Sequence, residues 1–262
     1  RILKKISYKP YFFIPSKNGD TKYRTLNNQK VDKLDFDSMS DAKEFLERYE
    51  DVENFKIYGL NQFTYTFIND YYQGQVKYDP SLISVVSIDI ETSSEGGFPN
   101  IELADKEVIA ITIRKRGKSI VFGYNDYVPK SKDVIYIKCS TEEQLLTKFL
   151  KAWNYFEPDV VTGWNVEFFD IPYLYNRISR ILDVKKANEL SPWNNVRQKQ
   201  VEMNGRINNV YTIVGVTILD YMQLYRKFSF SQQESYRLDH IASIELGERK
   251  VEYNEYDNLH DF

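Results

Sequence analysis

The sequence has very few of the residues that form disulfides and soft-metal sites. Of its 262 residues, only Cys139 is a cysteine, and only His240 and His260 are histidines. A single cysteine allows no disulfide within the chain and no cysteine zinc site. Two histidines are too few for a histidine metal centre or an evident histidine-based catalytic triad. Any metal chemistry is therefore expected to use oxygen ligands.

Long hydrophobic runs and a strong excess of one charge are also missing. No stretch resembles a membrane span or a signal peptide, so we expect a cytoplasmic protein. The net charge is −3, from 35 lysines and arginines against 38 aspartates and glutamates. This balance argues against an isolated high-affinity nucleic-acid binder, which usually has a basic surface. It permits a nuclease, because a cluster of catalytic carboxylates lowers the net charge.

The most informative stretch is a short apolar run that carries two acids, Asp89 and Glu91. The run begins at Leu82 and is rich in β-branched residues, which is typical of a buried strand. Side chains alternate along a strand, so both acids are predicted to share one face. Their mutual repulsion would be relieved by divalent cations, and carboxylate-held metal pairs activate water for attack on phosphodiesters. Ordinary solvated surface acids are the alternative interpretation.

A third acid, Asp170, follows a second short apolar strand. Pro172 suits the first turn of a helix, so Asp170 is expected at or just before the helix N-terminus. The helix dipole there favours the ionised carboxylate that a metal ligand requires. Asn165 can form hydrogen bonds and Phe169 can stack, as a groove for single-stranded nucleic acid requires. The alternative is that Asp170 only caps its helix.

Composition and turn signals divide the chain near Asp79-Pro80. Residues 1–80 are interpreted as a small α/β domain, and residues 81–262 as a second domain in which strands and helices alternate. In the first domain, Ser38 or Ser40 is predicted to cap a helix that ends near Tyr49. Residues 63–68 are predicted to form a strand because their side chains alternate.

The second domain has several signals for local structure. Residues 108–113 and 119–123 are predicted to form a hairpin, and a second hairpin over residues 196–219 is expected to turn at Asn204-Gly205. Thr141 is predicted to cap a helix that ends before Pro158.

Three further features of the second domain are interpreted as structural. Ser235 is predicted to cap a helix that ends before Gly247. Asp220, which follows an apolar strand, is expected to make hydrogen bonds rather than to be a fourth metal ligand. The basic clusters at residues 114–118 and 177–186 are interpreted as solvated faces.

The acidic motifs resemble those of family B replicative DNA polymerases, especially those of large tailed bacteriophages. Asp89-Ile90-Glu91-Thr92 resembles the first exonuclease motif, and Asn-Val-Glu-Phe-Phe-Asp at residues 165–170 resembles the second. Supporting stretches are Gly97-Phe98-Pro99, Thr162-Gly163-Trp164 and Leu219-Asp220-Tyr221. The likeness runs from about residue 8 to the end of the chain.

The resemblance implies an α/β protein with an RNase H-like 3′–5′ exonuclease domain. This domain, with a mixed sheet, would occupy residues 81–262, and residues 1–80 would belong to the N-terminal domain of a DNA-directed DNA polymerase. Asp89, Glu91 and Asp170 would be catalytic and would ligate two divalent metal ions, Mg²⁺ or Mn²⁺. They would support hydrolysis of the 3′-terminal phosphodiester of single-stranded DNA during proofreading.

The resemblance also implies DNA contacts and partners. Phe98 would stack on bases of the separated primer end, while Asn165 and Phe169 would line the path of the strand. The hairpin at residues 203–215 would help to pass the primer between polymerising and editing sites. The alternative for Phe98 is an ordinary loop aromatic, and the alternative for the hairpin is a plain β-ribbon with no role in DNA binding. The implied partners are the primer 3′ end, the rest of the polymerase chain and replisome proteins such as a sliding clamp, in the infected host cell.

The family also requires a third motif, Tyr-x-x-x-Asp, on a helix. After the second motif, the literal match is Tyr253 with Asp257, which follows a turn and an extended piece and lacks an apolar helical face. It is therefore expected to be a connector. Since no palm or fingers motifs are present and the chain begins at Arg1, a fragment of a larger polymerase with low or no exonuclease activity is expected.

Two other functions remain open from the sequence. One is a catalytically silent module that binds single-stranded DNA or replication proteins, in which the acids are structural. The other is a stand-alone RNase H-like nuclease, against which the polymerase-like first 80 residues count. Metal-dependent cleavage would distinguish a nuclease from a silent module.

Overall fold

The chain divides into two compact units, residues 1–78 and 79–262. The computed structural model describes residues 5–74, 77–203 and 205–249. Within these ranges no helix is long and apolar enough to cross a membrane. The strands are β1 (Tyr11–Pro15), β2 (Tyr23–Arg24), β3 (Lys30–Asp35), β4 (Val85–Thr92), β5 (Val108–Lys115), β6 (Lys118–Gly123), β7 (Val134–Lys138), β8 (Val160–Gly163), β9 (Val196–Met203), β10 (Arg206–Ile213) and β11 (Thr217–Asp220). The helices are α1 (Met39–Tyr49), α2 (Phe63–Tyr71), α3 (Glu142–Phe156), α4 (Asp170–Ile181), α5 (Val184–Asn188), α6 (Tyr221–Phe228) and α7 (Leu238–Glu245).

The first unit is a three-stranded antiparallel sheet with two helices. The strand order is β1-β3-β2. Phe12 of β1, Ala42 of α1 and Phe63 of α2 form its buried centre. The α1 helix begins as predicted, since the Ser38 hydroxyl accepts a hydrogen bond from the Asp41 amide at 3.1 Å. A side-chain acceptor at this position satisfies one of the amides that the first helical turn leaves without a partner.

The prediction of a strand at residues 63–68 is wrong, because this segment is the first part of α2. Phe63 and Thr66 are buried, and Phe67 packs edge-on against Tyr8 at a centroid distance of 5.5 Å. These spacings of three and four residues belong to one helix face. The segment's aromatic and β-branched residues favour strands intrinsically, but packing on a small core overrides that preference.

The second unit is built on a six-stranded mixed sheet in the order β11-β8-β4-β5-β6-β7. β11, β8 and β4 are parallel neighbours, β4, β5 and β6 are antiparallel, and β7 is parallel to β6. The β5–β6 hairpin is confirmed. Helix α3 packs against β5 and β6, and α4 against β4 and β10. The large buried side chains, including Trp153, Tyr173, Phe122 and Phe149, form one continuous core.

Helix ends and turns in the second unit mostly follow local sequence signals. The Thr141 hydroxyl accepts from the Gln144 amide at 3.2 Å, so the predicted cap of α3 is confirmed. The predicted hairpin is confirmed over residues 196–213, where β9 and β10 pair antiparallel and Gly205 has a φ of +72°. It does not extend to residue 219 as predicted, because Thr217–Asp220 form β11, which pairs with β8. The prediction that Ser235 caps the last helix is wrong. Its hydroxyl accepts from the Arg237 amide at 3.3 Å, and α7 starts only after Arg237. Such local bonds compete with helix initiation.

Close packing of strand ends brings the motif-bearing segments together. Gly163 ends β8 beside β4, and a Cβ at Gly163 would lie 2.6 Å from the Ile88 carbonyl oxygen. Only glycine therefore fits without moving one of the two strands. The chain turns directly after Gly163, where Asn165 adopts a φ of +64°. The left-handed conformation suits asparagine better than most residues.

Candidate active site

The first motif lies on β4, between β8 and β5 at the centre of the sheet. Val86, Ile88 and Ile90 are buried on one face, while Asp89 is exposed and Glu91 is half-buried. This alternation confirms the prediction that the two acids share the opposite face. Their cross-strand neighbours on β5 are Thr112 and Ala110, both small enough to leave the acids accessible.

The second motif presents its acid to the same strand. Asp170 is the first residue of α4, as predicted, and its side chain is 4% exposed. Its Oδ1 atom accepts a hydrogen bond of 3.1 Å from the backbone amide of Ile90, which lies between Asp89 and Glu91. The carboxylate of the second motif is therefore fixed against the strand that carries the first motif.

The electrostatics of Asp170 are unfavourable for a charged carboxylate. Burial, followed by the negative charge of Asp89, raises the pKa of Asp170 from 3.8 to about 7. The hydrogen bond from Ile90 lowers this pKa, and Asp220 raises it further. Burial without sufficient compensation penalises the ionised form. A nearby cation would reverse this preference and favour the carboxylate.

Asp220 is a structural acid, as predicted. It is 4% exposed and precedes α6. Oδ1 accepts from the amides of Asn165 and Met222 at 3.2 and 2.9 Å, and Oδ2 accepts from the Glu167 amide at 3.0 Å. A further bond to Oδ1, of 3.3 Å, comes from Gln223. One carboxylate therefore caps α6 and holds the loop of the second motif in place.

Two of the three predicted DNA-contact residues are neighbours in the structure. Phe98 is 84% exposed, and its ring lies 5.9 Å from that of Phe169, at an interplanar angle of 48°. Phe169 in turn stacks on Tyr173 at 5.7 Å. Asn165, the third, is half-buried in the tight turn before α4, and its carbonyl accepts from the amides of Phe168 and Phe169. The aromatic pair thus presents an exposed ring backed by a fixed one.

The loop between β4 and β5, which carries Phe98, is held by one face of α4. Four side chains of that helix, spaced as one helical face, bind its backbone. The contacts are Tyr173 Oη with the amide and carbonyl of Lys106 at 2.9 and 2.7 Å, Asn176 Nδ2 with the Ile101 carbonyl at 2.8 Å, Arg177 Nη1 with the Ala104 carbonyl at 2.8 Å and Arg180 Nη1 with the Leu103 carbonyl at 3.0 Å. No contact between these side chains and the loop was predicted from the sequence, although their spacing places them on one helical face.

Arg177 differs from the solvated basic residue that the sequence predicts. It is 7% exposed, and its Nε and Nη2 atoms donate to the two carboxylate oxygens of Glu142 at 2.7 and 2.6 Å. This bidentate pair joins the first residue of α3 to the middle of α4. Glu142 Oε1 also accepts from the Val108 amide at 2.8 Å. The interpretation of Arg177 as a solvated residue is therefore wrong.

The hairpin is tied to the same helix and loop. The Tyr211 hydroxyl donates to Asn176 Oδ1 at 2.6 Å, and its ring lies 4.5 Å from that of Tyr175. Asn209 on β10 donates to the Glu102 carboxylate of the loop. The hairpin base is thus fixed to the elements that carry Asp170 and Phe98.

The donor set of the motifs fits a hard divalent cation. Asp89, Glu91 and Asp170 offer only carboxylate oxygens, which suit Mg²⁺ or Mn²⁺, and the raised pKa of Asp170 marks a place where positive charge is lacking. Throughout residues 5–74, 77–203 and 205–249, no three histidine, cysteine, aspartate or glutamate side chains are close enough to hold one ion together. Tyr253 and Asp257, the literal match to the third motif, lie outside the described residues.

Comparison with known proteins gives a consistent set of relatives. Residues 48–241 match the sequence model of the exonuclease domain of DNA polymerase family B. The chain is 32% identical to the DNA-directed DNA polymerase of Escherichia phage RB69 and 29% identical to that of Enterobacteria phage T4. Each alignment covers 96% of this chain and 31% of the relative. The catalytic subunit of DNA polymerase delta from Caenorhabditis elegans is 28% identical over 66% of this chain and 17% of its own length.

Proposed function

Because the chain belongs to the exonuclease domain of DNA polymerase family B, we propose that it removes nucleotides from the 3′ end of single-stranded DNA. The observation that carries the proposal is the 3.1 Å bond from the Ile90 amide to Asp170. It holds the acid of the second motif beside the two acids of the first. The mixed α/β fold confirms the fold class expected for such a domain.

We assign the metal-binding role to Asp89, Glu91 and Asp170. Exonuclease domains of this family are metal-dependent nucleases. Bound there, two divalent ions would supply an activated water and stabilise the leaving 3′ oxygen. The strand carries Asp89 and Glu91 on a rigid face, and the Ile90 amide fixes the orientation of Asp170. No side chain need attack the phosphate itself.

The aromatic residues would hold the single strand. Phe98 offers an exposed ring for a base, and Phe169, stacked on Tyr173, gives it a fixed support. Base stacking on aromatic rings tolerates any sequence, as proofreading requires. Asn165 would contact the strand from the turn before α4. The hairpin of β9 and β10, fixed at its base, would guide the primer toward this site.

The chain spans 31% of the length of its phage relatives, so the setting of this activity is also a proposal. The remaining partners would be the other parts of a DNA-directed DNA polymerase and replication proteins such as a sliding clamp. The reaction would take place in the cytoplasm of an infected cell. In this setting the site would edit the primer end that the polymerase extends.

Degradation of a 5′-labelled single-stranded oligonucleotide tests the proposal. With Mg²⁺ or Mn²⁺, the protein is expected to shorten the strand stepwise from its 3′ end, at the low rate that the sequence analysis predicts for this fragment. Asp89→Asn and Asp170→Asn should lose this activity because each removes a ligand charge. Asp133→Asn is the matched control, since Asp133 is exposed in the turn before β7 and lies outside the motifs.

A parallel measurement separates a failed assay from a wrong proposal. Either metal should raise the melting temperature of the protein and of Asp133→Asn, but not that of Asp89→Asn. If the strand stays intact and neither metal changes the melting temperature, the nuclease proposal is wrong. Metal-independent binding of single-stranded DNA would then favour the catalytically silent module.

A further inference from the structure

A polar cavity lies between the base of the β9–β10 hairpin, the loop from β4 to β5 and the turn of the second motif. Its volume is about 300 Å³, at the lower end of the range for small-molecule sites. Four of the residues that line it are amides, Asn176, Gln198, Asn208 and Asn209, and we call the cavity the amide notch. It has room for one small polar group.

One amide oxygen of a notch residue has no hydrogen-bond partner. In the part of the chain that the structure describes, Asn209 Oδ1 is the only buried side-chain nitrogen or oxygen atom without one. Its amide nitrogen donates to the Glu102 carboxylate, so exchanging the two amide atoms would set one acceptor against another. Buried polar atoms nearly always have a partner. The group that pairs with Asn209 Oδ1 must be a hydrogen-bond donor.

The walls of the notch are held in place by hydrogen bonds within the protein. Asn176 Nδ2 donates to the Ile101 carbonyl at 2.8 Å, and Asn176 Oδ1 accepts from the Tyr211 hydroxyl at 2.6 Å. Asn209 is fixed in the same way by Glu102. Because these contacts do not involve a ligand, the notch is formed in advance, which lowers the entropic cost of binding.

Charge and hydrogen bonding decide which group the notch accepts. Its charged lining residue is an acid, Glu102, so a phosphate would be repelled. A neutral planar group with an amino donor could pair with Asn209 Oδ1 and also reach the amide of Gln198. Cytosine, adenine and guanine have an exocyclic amino group, whereas thymine and uracil have a carbonyl oxygen at the position of the cytosine amino group.

The notch lies beside the path that we propose for the single strand. Phe168 lines the notch, and the next residue, Phe169, packs against the exposed ring of Phe98. The loop that carries Phe98 also contributes Ile101 and Glu102 to the notch. A strand stacked on Phe98 therefore has neighbouring bases within reach of the notch.

We propose that the amide notch binds an unpaired nucleobase whose exocyclic amino group donates to Asn209 Oδ1. The base would belong to the strand that stacks on Phe98, at a nucleotide farther from the 3′ end than the one to be removed. The inference rests on the proposed binding of single-stranded DNA, but not on its cleavage. A free nucleoside has the same hydrogen-bonding groups and is the other possible source of the base.

Homopolymeric strands of deoxycytidine and of deoxyuridine test the proposal. Their bases differ at one exocyclic group, an amino group in cytosine and a carbonyl oxygen in uracil. Fluorescence anisotropy of 5′-labelled strands of about 12 nucleotides, in EDTA, measures binding without cleavage. The protein should bind the deoxycytidine strand about tenfold more tightly, because uracil would leave Asn209 Oδ1 unpaired and facing a second acceptor.

Two variants complete a thermodynamic cycle with the two strands. Asn209→Leu removes the acceptor, and Gln198→Trp fills the entrance of the notch from an exposed position on β9. Each variant should bind the two strands alike. Asn154→Leu is the matched control, because Asn154 is exposed on α3 and does not line the notch, and it should keep the wild-type preference. Unfolding midpoints in urea close to that of the wild type would establish that the variants are folded.

Two results would overturn the proposal. Equal affinity of the wild type for the two strands would mean that only water occupies the notch. A preference for deoxycytidine that persists in both Asn209→Leu and Gln198→Trp would mean that another part of the protein distinguishes the bases. Competition with free deoxycytidine identifies the source of the base: loss of the preference would assign the notch to a free nucleoside as well, and an unchanged preference would assign it to the strand alone.

The outcomes for the notch and for the nuclease are distinguishable. If strands are shortened with metal but the wild type binds both homopolymers alike, the nuclease stands and the inference about the notch is wrong. If strands stay intact but the preference depends on Asn209, the notch binds a base and the nuclease proposal is wrong. If the protein binds neither strand, the proposed binding of single-stranded DNA is wrong, and the inference fails with it.

Discussion

Asp170→Asn is expected to stabilise the metal-free protein near neutral pH. The Asp170 side chain is 4% exposed, and its burial, followed by the charge of Asp89, raises its pKa from 3.8 to about 7. Asparagine has nearly the same shape, and its Oδ1 can still accept the bond from the Ile90 amide. The substitution therefore removes an unfavourable charge and retains the contact that positions the side chain.

The sign and size of the effect follow from proton binding. The folded-state pKa lies above the unfolded-state value, so between the two the folded protein holds more protons, and its stability falls as the pH rises. One pKa unit corresponds to about 1.4 kcal/mol. The shift from 3.8 to about 7 thus costs the wild type about 4 kcal/mol above pH 7. The free energy of unfolding of Asp170→Asn should exceed that of the wild type by an amount that grows from near zero at about pH 4 to about 4 kcal/mol at about pH 8.

Urea unfolding in EDTA across this pH range measures the difference. Trp153, Trp164 and Trp193 are the only tryptophans, and all three belong to the second unit. Their fluorescence therefore reports on the unit that contains Asp170. Asp133→Asn, which neutralises an exposed carboxylate in the turn before β7, should have the same free energy of unfolding as the wild type at every pH.

A stability difference that stays flat with pH, or that favours the wild type at pH 8, would refute this reasoning. Metal provides the complementary test. Mg²⁺ or Mn²⁺ binds the native site and stabilises it by an amount that grows with the logarithm of the metal concentration once this exceeds the dissociation constant. The wild type should therefore gain stability with added metal, and Asp170→Asn should gain much less. The two proteins would converge as the metal concentration rises.

Three further substitutions have defined consequences for stability, each measurable by urea unfolding. Arg177→Ala should lower the free energy of unfolding by about 3–5 kcal/mol, since it leaves the buried Glu142 carboxylate without its bidentate partner. A decrease of less than about 1 kcal/mol would contradict this. Asp220→Ala should cost at least about 2 kcal/mol, because four amides lose their acceptor, whereas Asp220→Asn should cost less. Gly163→Ala should cost about 1–3 kcal/mol through overpacking against the Ile88 carbonyl, and an unchanged midpoint would contradict the observed strand spacing.

The parts of the fold that sequence predicted well have short-range causes. The alternation of Val86, Ile88 and Ile90 with the acids identifies which face of β4 is buried and which carries the acids. The hydroxyl caps at Ser38 and Thr141 depend on residues only three positions away. Each of these signals is complete within one turn or one strand, so no knowledge of the tertiary structure is needed to interpret it.

The failures have long-range causes. Residues 63–68 have a composition typical of a strand, yet they form a helix because Phe63 joins Phe12 and Ala42 in a small core. Arg177 looks like one of several surface cations until Glu142, 35 positions earlier, is placed beside it. A bond between residues so distant in sequence leaves no periodic signal. The site acids were predictable as motifs, but the contact of Asp170 with Ile90 required the fold.

The two kinds of site residue are supported in different ways, and α4 connects them. The acids stand on regular elements: Asp89 and Glu91 on the central strand, Asp170 at the start of α4. Phe98 stands on a loop, but four side chains along one face of α4 bind that loop's backbone. The helix that begins with the Asp170 carboxylate therefore also fixes the ring that would hold the DNA. Any shift of α4 moves both together, so the spacing between the Asp170 carboxylate and the Phe98 ring is set by one helix.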